Sequence, residues 1–155
     1  MTVYSPEQVA SVTDPDARRL LTEQGLPDTH VTSFRPLHDP RPLADDPRYL
    51  VFGMWDLDRV PIGLDLVDGE VVSVAPRRPE VYQVNTSMRR FVESLDAIQA
   101  ATPLSPRNPA YDSYDAAAEH VRGVLTRIDP EALADEAGFW QTIVDDIASG
   151  DYEES

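Results

Sequence analysis

The chain contains no cysteine, no lysine and no apolar run approaching the ~20 residues that a membrane span needs. Without cysteine there is no disulfide framework, no thiolate metal site and no thiol nucleophile, which fits a reducing compartment. The opening MTVYSPEQVASV has neither a basic leader nor a long apolar stretch, so the expectation is a soluble, cytoplasmic protein. Because lysine is missing, all 13 basic residues are arginine. Arginine suits bidentate ion pairs, but GC-rich codon usage is the better account of the bias, and nothing functional follows from it. Catalytic signatures are missing too: there is no GxSxG elbow, no glycine-rich phosphate loop and no HExxH. His30, His38 and His120 share no ligand spacing, which argues against a metal site. No catalytic, cofactor-binding or metal-ligating residue is assigned, and the chain is not expected to be an enzyme.

What is abundant is acid. The formal charge is −15 over 155 residues, and residues 111 to 155 hold 12 acidic residues against Arg122 and Arg127. Such a field repels nucleic acid and anionic membrane and favours a basic partner, although acidity also serves solubility. The length is one domain's worth, residues 1–155, enough to bury roughly 70% of the unfolded surface without a staple.

The texture changes along the chain. Ser5-Pro6-Glu7-Gln8 reads as a helix start running to Val12, and Asp14-Pro15-Asp16 as a second start, stopped by Gly25. Val31 to Phe34 reads as a short strand, and the proline-rich segment 35–47 as an irregular loop. From Tyr49 to Leu95 the pattern is strand-like and then helical. Tyr49, Val51 and Gly53 alternate with Leu50, Phe52 and Met54 in a strand buried on both faces. Asp68-Gly69 marks a hairpin from Ile62 to Val74. A two-residue loop would oppose Leu64 to Ser73. A three-residue loop of Val67, Asp68 and left-handed Gly69 opposes Leu64 to Val72 and Ile62 to Val74, giving one apolar face, and is the expected register. Val81 to Val84 adds a further strand. Asn85 or Thr86 caps a helix with Met88, Phe91, Val92, Leu95 and Ile98 on one stripe. Segment 102–113 is a proline-broken linker, and residues 114–150 hold further helices, one starting at Asp129-Pro130-Glu131. The expected fold is α+β: a central antiparallel meander sheet packed with N-terminal and C-terminal helices.

The run Tyr49-Leu50-Val51-Phe52-Gly53, then Ile62, Leu64-Asp65, Gly69, Val71, Val84-Asn85, Ser87, Phe91 and Leu95, resembles the SUKH superfamily, and most closely its fourth family. Gly25-Leu26-Pro27 and Phe139-Trp140 extend the likeness toward both ends. The resemblance implies an α+β fold and a non-enzymatic immunity protein. Such a protein neutralises a cognate toxin domain, often a nuclease or nucleic-acid deaminase, in intercellular competition. It leaves the oligomeric state open, and some eukaryotic relatives suggest the alternative of a regulatory scaffold without a toxin partner. A basic toxin domain complements the acidic charge. The candidate contacts are Asp56, Asp58 and Glu70 at strand ends near Trp55, with Trp55 as an anchor if exposed, and Asp145 and Asp146 on the last helix. Asp56, Asp58, Asp65 and Asp68 could also be drawn as a divalent-cation site, but outward strand-end and turn positions account for them.

Overall fold

A computed structural model describes residues 1–28, 33–56, 59–75, 80–135 and 137–151. The chain folds as α+β. Strands β1 (Arg35–Leu43), β2 (Asp46–Trp55), β3 (Val60–Asp65), β4 (Val71–Val74) and β5 (Val81–Asn85) form one antiparallel sheet in chain order. Helix α1 (Pro15–Arg19) precedes the sheet, and α2 (Met88–Ala101), α3 (Tyr114–Ile128) and α4 (Phe139–Ala148) follow it.

Strand β1 occupies a segment expected to be a loop. Pro36, Pro40 and Pro42 are tolerated because β1 is an edge strand, paired only with β2, and because the register slips between Pro36, opposite Gly53, and Arg41, opposite Val51. In the expected Val31 to Phe34 strand, Val31 and Thr32 lie outside the described residues; Phe34 belongs to no strand, and its ring is buried.

Strand β2 departs from simple alternation at one residue. Val51 pairs with Gly63 and Gly53 with Ile62, so Phe52 is an extra residue, a β-bulge. The bulge exchanges the faces of the two residues that follow. Met54 joins Val51 and Leu37 in a small second cluster, while Trp55 joins Leu50 and Phe52 in the main core. Trp55 is only 5% exposed, so the exposure on which its candidacy as an anchor depended is not met. Its ring packs edge-on against Phe139 at 4.9 Å and Trp140 at 5.9 Å between centroids. Two features hold the bulge. The Phe34 ring fills the space beside Gly53, where a Cβ would lie 2.3 Å from it, and the buried Tyr4 hydroxyl is shared between the carbonyls of Leu37 and Phe52.

The β3–β4 hairpin has a four-residue loop, Leu66 to Gly69, one longer than expected. Leu64 lies opposite Val71 and Ile62 opposite Ser73, and the Asp65 N–H donates to the Glu70 carbonyl at 2.8 Å. Gly69 does take the left-handed conformation, with φ +78°. The earlier turn is set by Asp65, whose Oδ1 accepts from the N–H groups of Val67 (2.9 Å) and Asp68 (3.2 Å). Val71 thus enters the main core and Val72 and Val74 do not. With valine at three of four positions in Val71-Val72-Ser73-Val74, apolar pattern alone cannot decide between the registers.

Near the N-terminus, Ser5 and Gln8 make the expected reciprocal capping bonds, yet the segment forms successive three-residue turns, with N–H to C=O bonds from Gln8 to Ser5, Ala10 to Glu7 and Val12 to Val9. Eight residues before another helix start are too few to sustain an α-helix on local bonds alone. Asp14 caps α1, which passes into a π-helical turn, Leu20–Gln24, closed by Gly25. The α2 cap is Ser87, not Asn85 or Thr86. Asp129-Pro130-Glu131 opens a single 3-10 turn, Pro130–Leu133, rather than a longer helix. The main core joins Tyr4, Leu26, Phe52, Leu64, Phe91, Leu95, Val121, Trp140 and Ile147, drawn from both ends of the chain and every layer between them.

Candidate functional site

The carboxylates singled out in the sequence are not one cluster. Asp56 is exposed in the β2–β3 turn, in the left-handed region at φ +53°, which aspartate tolerates better than most residues. Asp58 lies outside the described residues. Glu70 stands at the opposite end of β3, a six-residue strand, hence roughly 17 Å from the Asp56 end at the usual rise per residue. On α4, Asp145 is exposed and accepts from Gln141 Nε2 at 3.1 Å. Its neighbour Asp146 is half-buried, and burial, with Asp151 and Asp145 nearby, pushes its carboxyl above the ordinary range.

The structure instead assembles three other constellations. At the hairpin, Arg48 donates through Nε to Asp65 Oδ1 (2.9 Å) and through one terminal nitrogen to Asp65 Oδ2 (2.8 Å) and Asp68 Oδ2 (3.0 Å). Burial works to raise the Asp65 pKa, but the Arg48 hydrogen bonds and the two backbone donors outweigh it and hold the carboxyl below its ordinary value. Carboxylate oxygens of Asp65, Asp68 and Glu70 lie within 4.8 Å of one another, a spacing a cation could use. The guanidinium already supplies positive charge to two of the three, and the fold separates this trio from Asp56.

The second constellation is internal. Asn85 is fully buried; its Oδ1 accepts from Trp140 Nε1 (2.9 Å), and its Nδ2 donates to Asp129 Oδ2 (3.0 Å). Asp129, 3% exposed, also accepts from the Thr86 N–H (2.8 Å) and hydroxyl (3.0 Å). One polar knot thereby ties the end of β5 to the start of α4 and to the link after α3. Asn85 and Trp140 were both among the residues carrying the family likeness, and the structure shows that they touch.

The third is a groove of about 260 Å³ along the β5 edge, lined by Ser73, Tyr82, Gln83, Glu131, Ala132, Asp135, Ala137, Gly138 and Phe139. Gln83 Nε2 is shared between Glu70 Oε1 (3.0 Å) and Glu131 Oε1 (3.4 Å), so Glu70 borders this region rather than the Asp56 turn. Tyr82, on the edge strand, is 51% exposed. Sequence reasoning passed over Tyr82, Glu131 and Asp135. The available signal was an aromatic in a short strand that would border the sheet, followed in the chain by an acidic capping segment.

Among the described residues, no helix is long and apolar enough to cross a membrane. A protein-family model described as SUKH-4 immunity protein matches residues 1–146. No curated protein and no solved structure matches the chain significantly.

Proposed function

The chain belongs to the SUKH-4 immunity protein family, and from that premise we propose that it binds and neutralises a cognate toxin domain by stoichiometric occlusion in the cytoplasm. The family match, spanning almost the whole chain, is the observation that carries this reading. The −15 charge extends it to the partner's chemistry. A toxin that acts on nucleic acid needs a cationic cleft to hold phosphates, and an acidic protein is complementary to that cleft. The partner is thus a basic nuclease or nucleic-acid deaminase domain, and neutralisation requires no turnover.

The test is to search beside this gene for one encoding a toxin domain, co-express the two, and then mix the purified proteins. Growth should be rescued, a 1:1 complex should form, and residual toxin activity should fall linearly with the molar ratio until it vanishes at equivalence. Inhibition at far below equivalence would point to catalysis, and no complex with the neighbouring toxin would sink the reading.

A further inference from the structure

The loop of the β3–β4 hairpin carries one apolar side chain that the fold leaves in solvent. Leu66 packs against the main core, Asp68 accepts from Arg48, and Gly69 supplies the left-handed turn conformation. Val67 instead stands 72% exposed, more than any other large apolar side chain among the described residues. The N–H that it donates to Asp65 Oδ1 is one that any residue except proline would supply. A lone apolar side chain on a surface is ordinary, but valine is also stiff at χ1 and prefers strands, whereas turns favour glycine, proline, asparagine, aspartate and serine. A residue that suits neither its solvent nor its local backbone marks a functional position. The loop is also fixed before any partner arrives. The Leu66 N–H donates to the Arg48 carbonyl (2.9 Å) and the Gly69 N–H to the Asp65 carbonyl (2.8 Å), and the Arg48–Asp65 pair braces it. A groove of about 230 Å³ separates the loop from Val12, Thr13 and Asp14, so a partner can close round the tip rather than touch its crown alone. Asp14 lines that groove, the carboxylates of Asp65, Asp68 and Glu70 cluster beside it, and Arg48 offsets only part of this charge.

We propose that this tip enters the cationic cleft of the toxin, with Val67 as the apolar anchor and Asp68 turned to the cleft's basic side chains. A site that holds nucleic acid is concave, and a rigid projecting loop fits a concavity without the ordering cost of a flexible one. Asp68 spends one oxygen on Arg48 (3.0 Å) and, with its side chain 52% exposed, keeps acceptor capacity for a second cation. Covered by the toxin, Val67 gains the burial that its own fold denies it. This inference rests on the immunity reading and specifies which element makes the contact.

Three variants of the full chain test the tip against the purified toxin. Val67→Ser keeps the backbone N–H and Val67→Arg adds a cation; both should weaken binding at least about tenfold, the serine variant mainly through faster dissociation, with thermal unfolding unchanged. Val3→Ser, which removes an exposed apolar side chain outside the loop, should bind as wild type does. The wild-type complex should also exclude a short single-stranded oligonucleotide that the free toxin binds. Wild-type affinity in both Val67 variants, or a complex that still holds the oligonucleotide, overturns the tip and leaves the immunity function standing. A wild type that self-associates without toxin and becomes monomeric as Val67→Ser assigns the tip to a second copy of the chain and likewise overturns it. If wild type itself forms no complex with the toxin, the immunity reading falls and this inference falls with it.

Discussion

Asp129 shows how much one side chain can hold together here. It is almost completely buried and accepts from Asn85 and twice from Thr86, and Asn85 in turn orients the Trp140 indole. Replacing it with alanine takes the acceptor from one buried Asn85 amide N–H, which still leaves Asn85 its bonds to Ser94 and Trp140, and an unsatisfied buried donor costs about 1–3 kcal/mol. Asp129→Ala should therefore lower the urea midpoint clearly and alter Trp140 fluorescence in the native state. Unchanged stability would mean that the knot is not maintained in solution. Asp65 makes a pH-dependent contribution of the same local kind. Its folded pKa is below the ordinary carboxylate value, because Arg48 and two backbone N–H groups outweigh the effect of burial. Its contribution is thus fully present above the unfolded value of ~3.9 and is lost as pH falls through that value and then through the lower folded one. Between pH 7 and pH 3 the stability of wild type should fall more steeply than that of Asp65→Asn. Parallel acid limbs in the two proteins would count against the clamp.

Glycines at two points in the sheet separate the elements that sequence patterning can place from those it cannot. At Gly69 the requirement is conformational: φ is +78°, and among the described residues a Cβ would meet only Asp14 Oδ2 at 3.6 Å. At Gly53 it is steric, because a Cβ would lie 2.3 Å from the Phe34 ring. Gly69→Ala should cost about 1 kcal/mol, while Gly53→Ala must displace Phe34 or undo the bulge and should cost more, of order 1–3 kcal/mol for overpacking. Thermal unfolding of the two variants side by side checks the order. The Asp68-Gly69 turn signal was legible because it is local chemistry, and so were the Asp14-Pro15 start, the Gly25 stop and the apolar stripe of α2. The bulge was not legible, since it depends on what Phe34 and Tyr4 bring from distant parts of the chain. A bulge of one residue was enough to move Trp55 from the second cluster's face to that of the main core. Strand β1 was hidden for a related reason: proline excludes a central strand, and only knowledge of the sheet order reveals that this one is an edge. For the candidate site, the acidic character was plain from composition. The grouping of Glu70, Gln83, Glu131 and Tyr82 was not, because residues 70 and 131 meet only through the fold.

At the scale of the whole molecule, the acidic charge predicts a kinetic signature of its own. Asp56 and Glu70 sit at opposite ends of β3 and Asp145 and Asp146 on α4, so these carboxylates are not one local cluster. On the proposed function, they and Asp58 would act on a basic partner through the summed field of a chain carrying −15, a field felt during approach and largely spent once the surfaces have met. The Debye length falls from ~10 Å at 0.1 M salt to ~3 Å at 1 M, so association with the toxin should slow steeply over that range while dissociation changes little. Neutralising the five carboxylates together should reproduce the slow, salt-insensitive association at low salt. Stopped-flow rates across the salt series measure both association and dissociation. An association rate that ignores both salt and the five substitutions would reduce the acidic surface to a device for solubility, and the specificity of the complex would then have to come from short-range contacts alone.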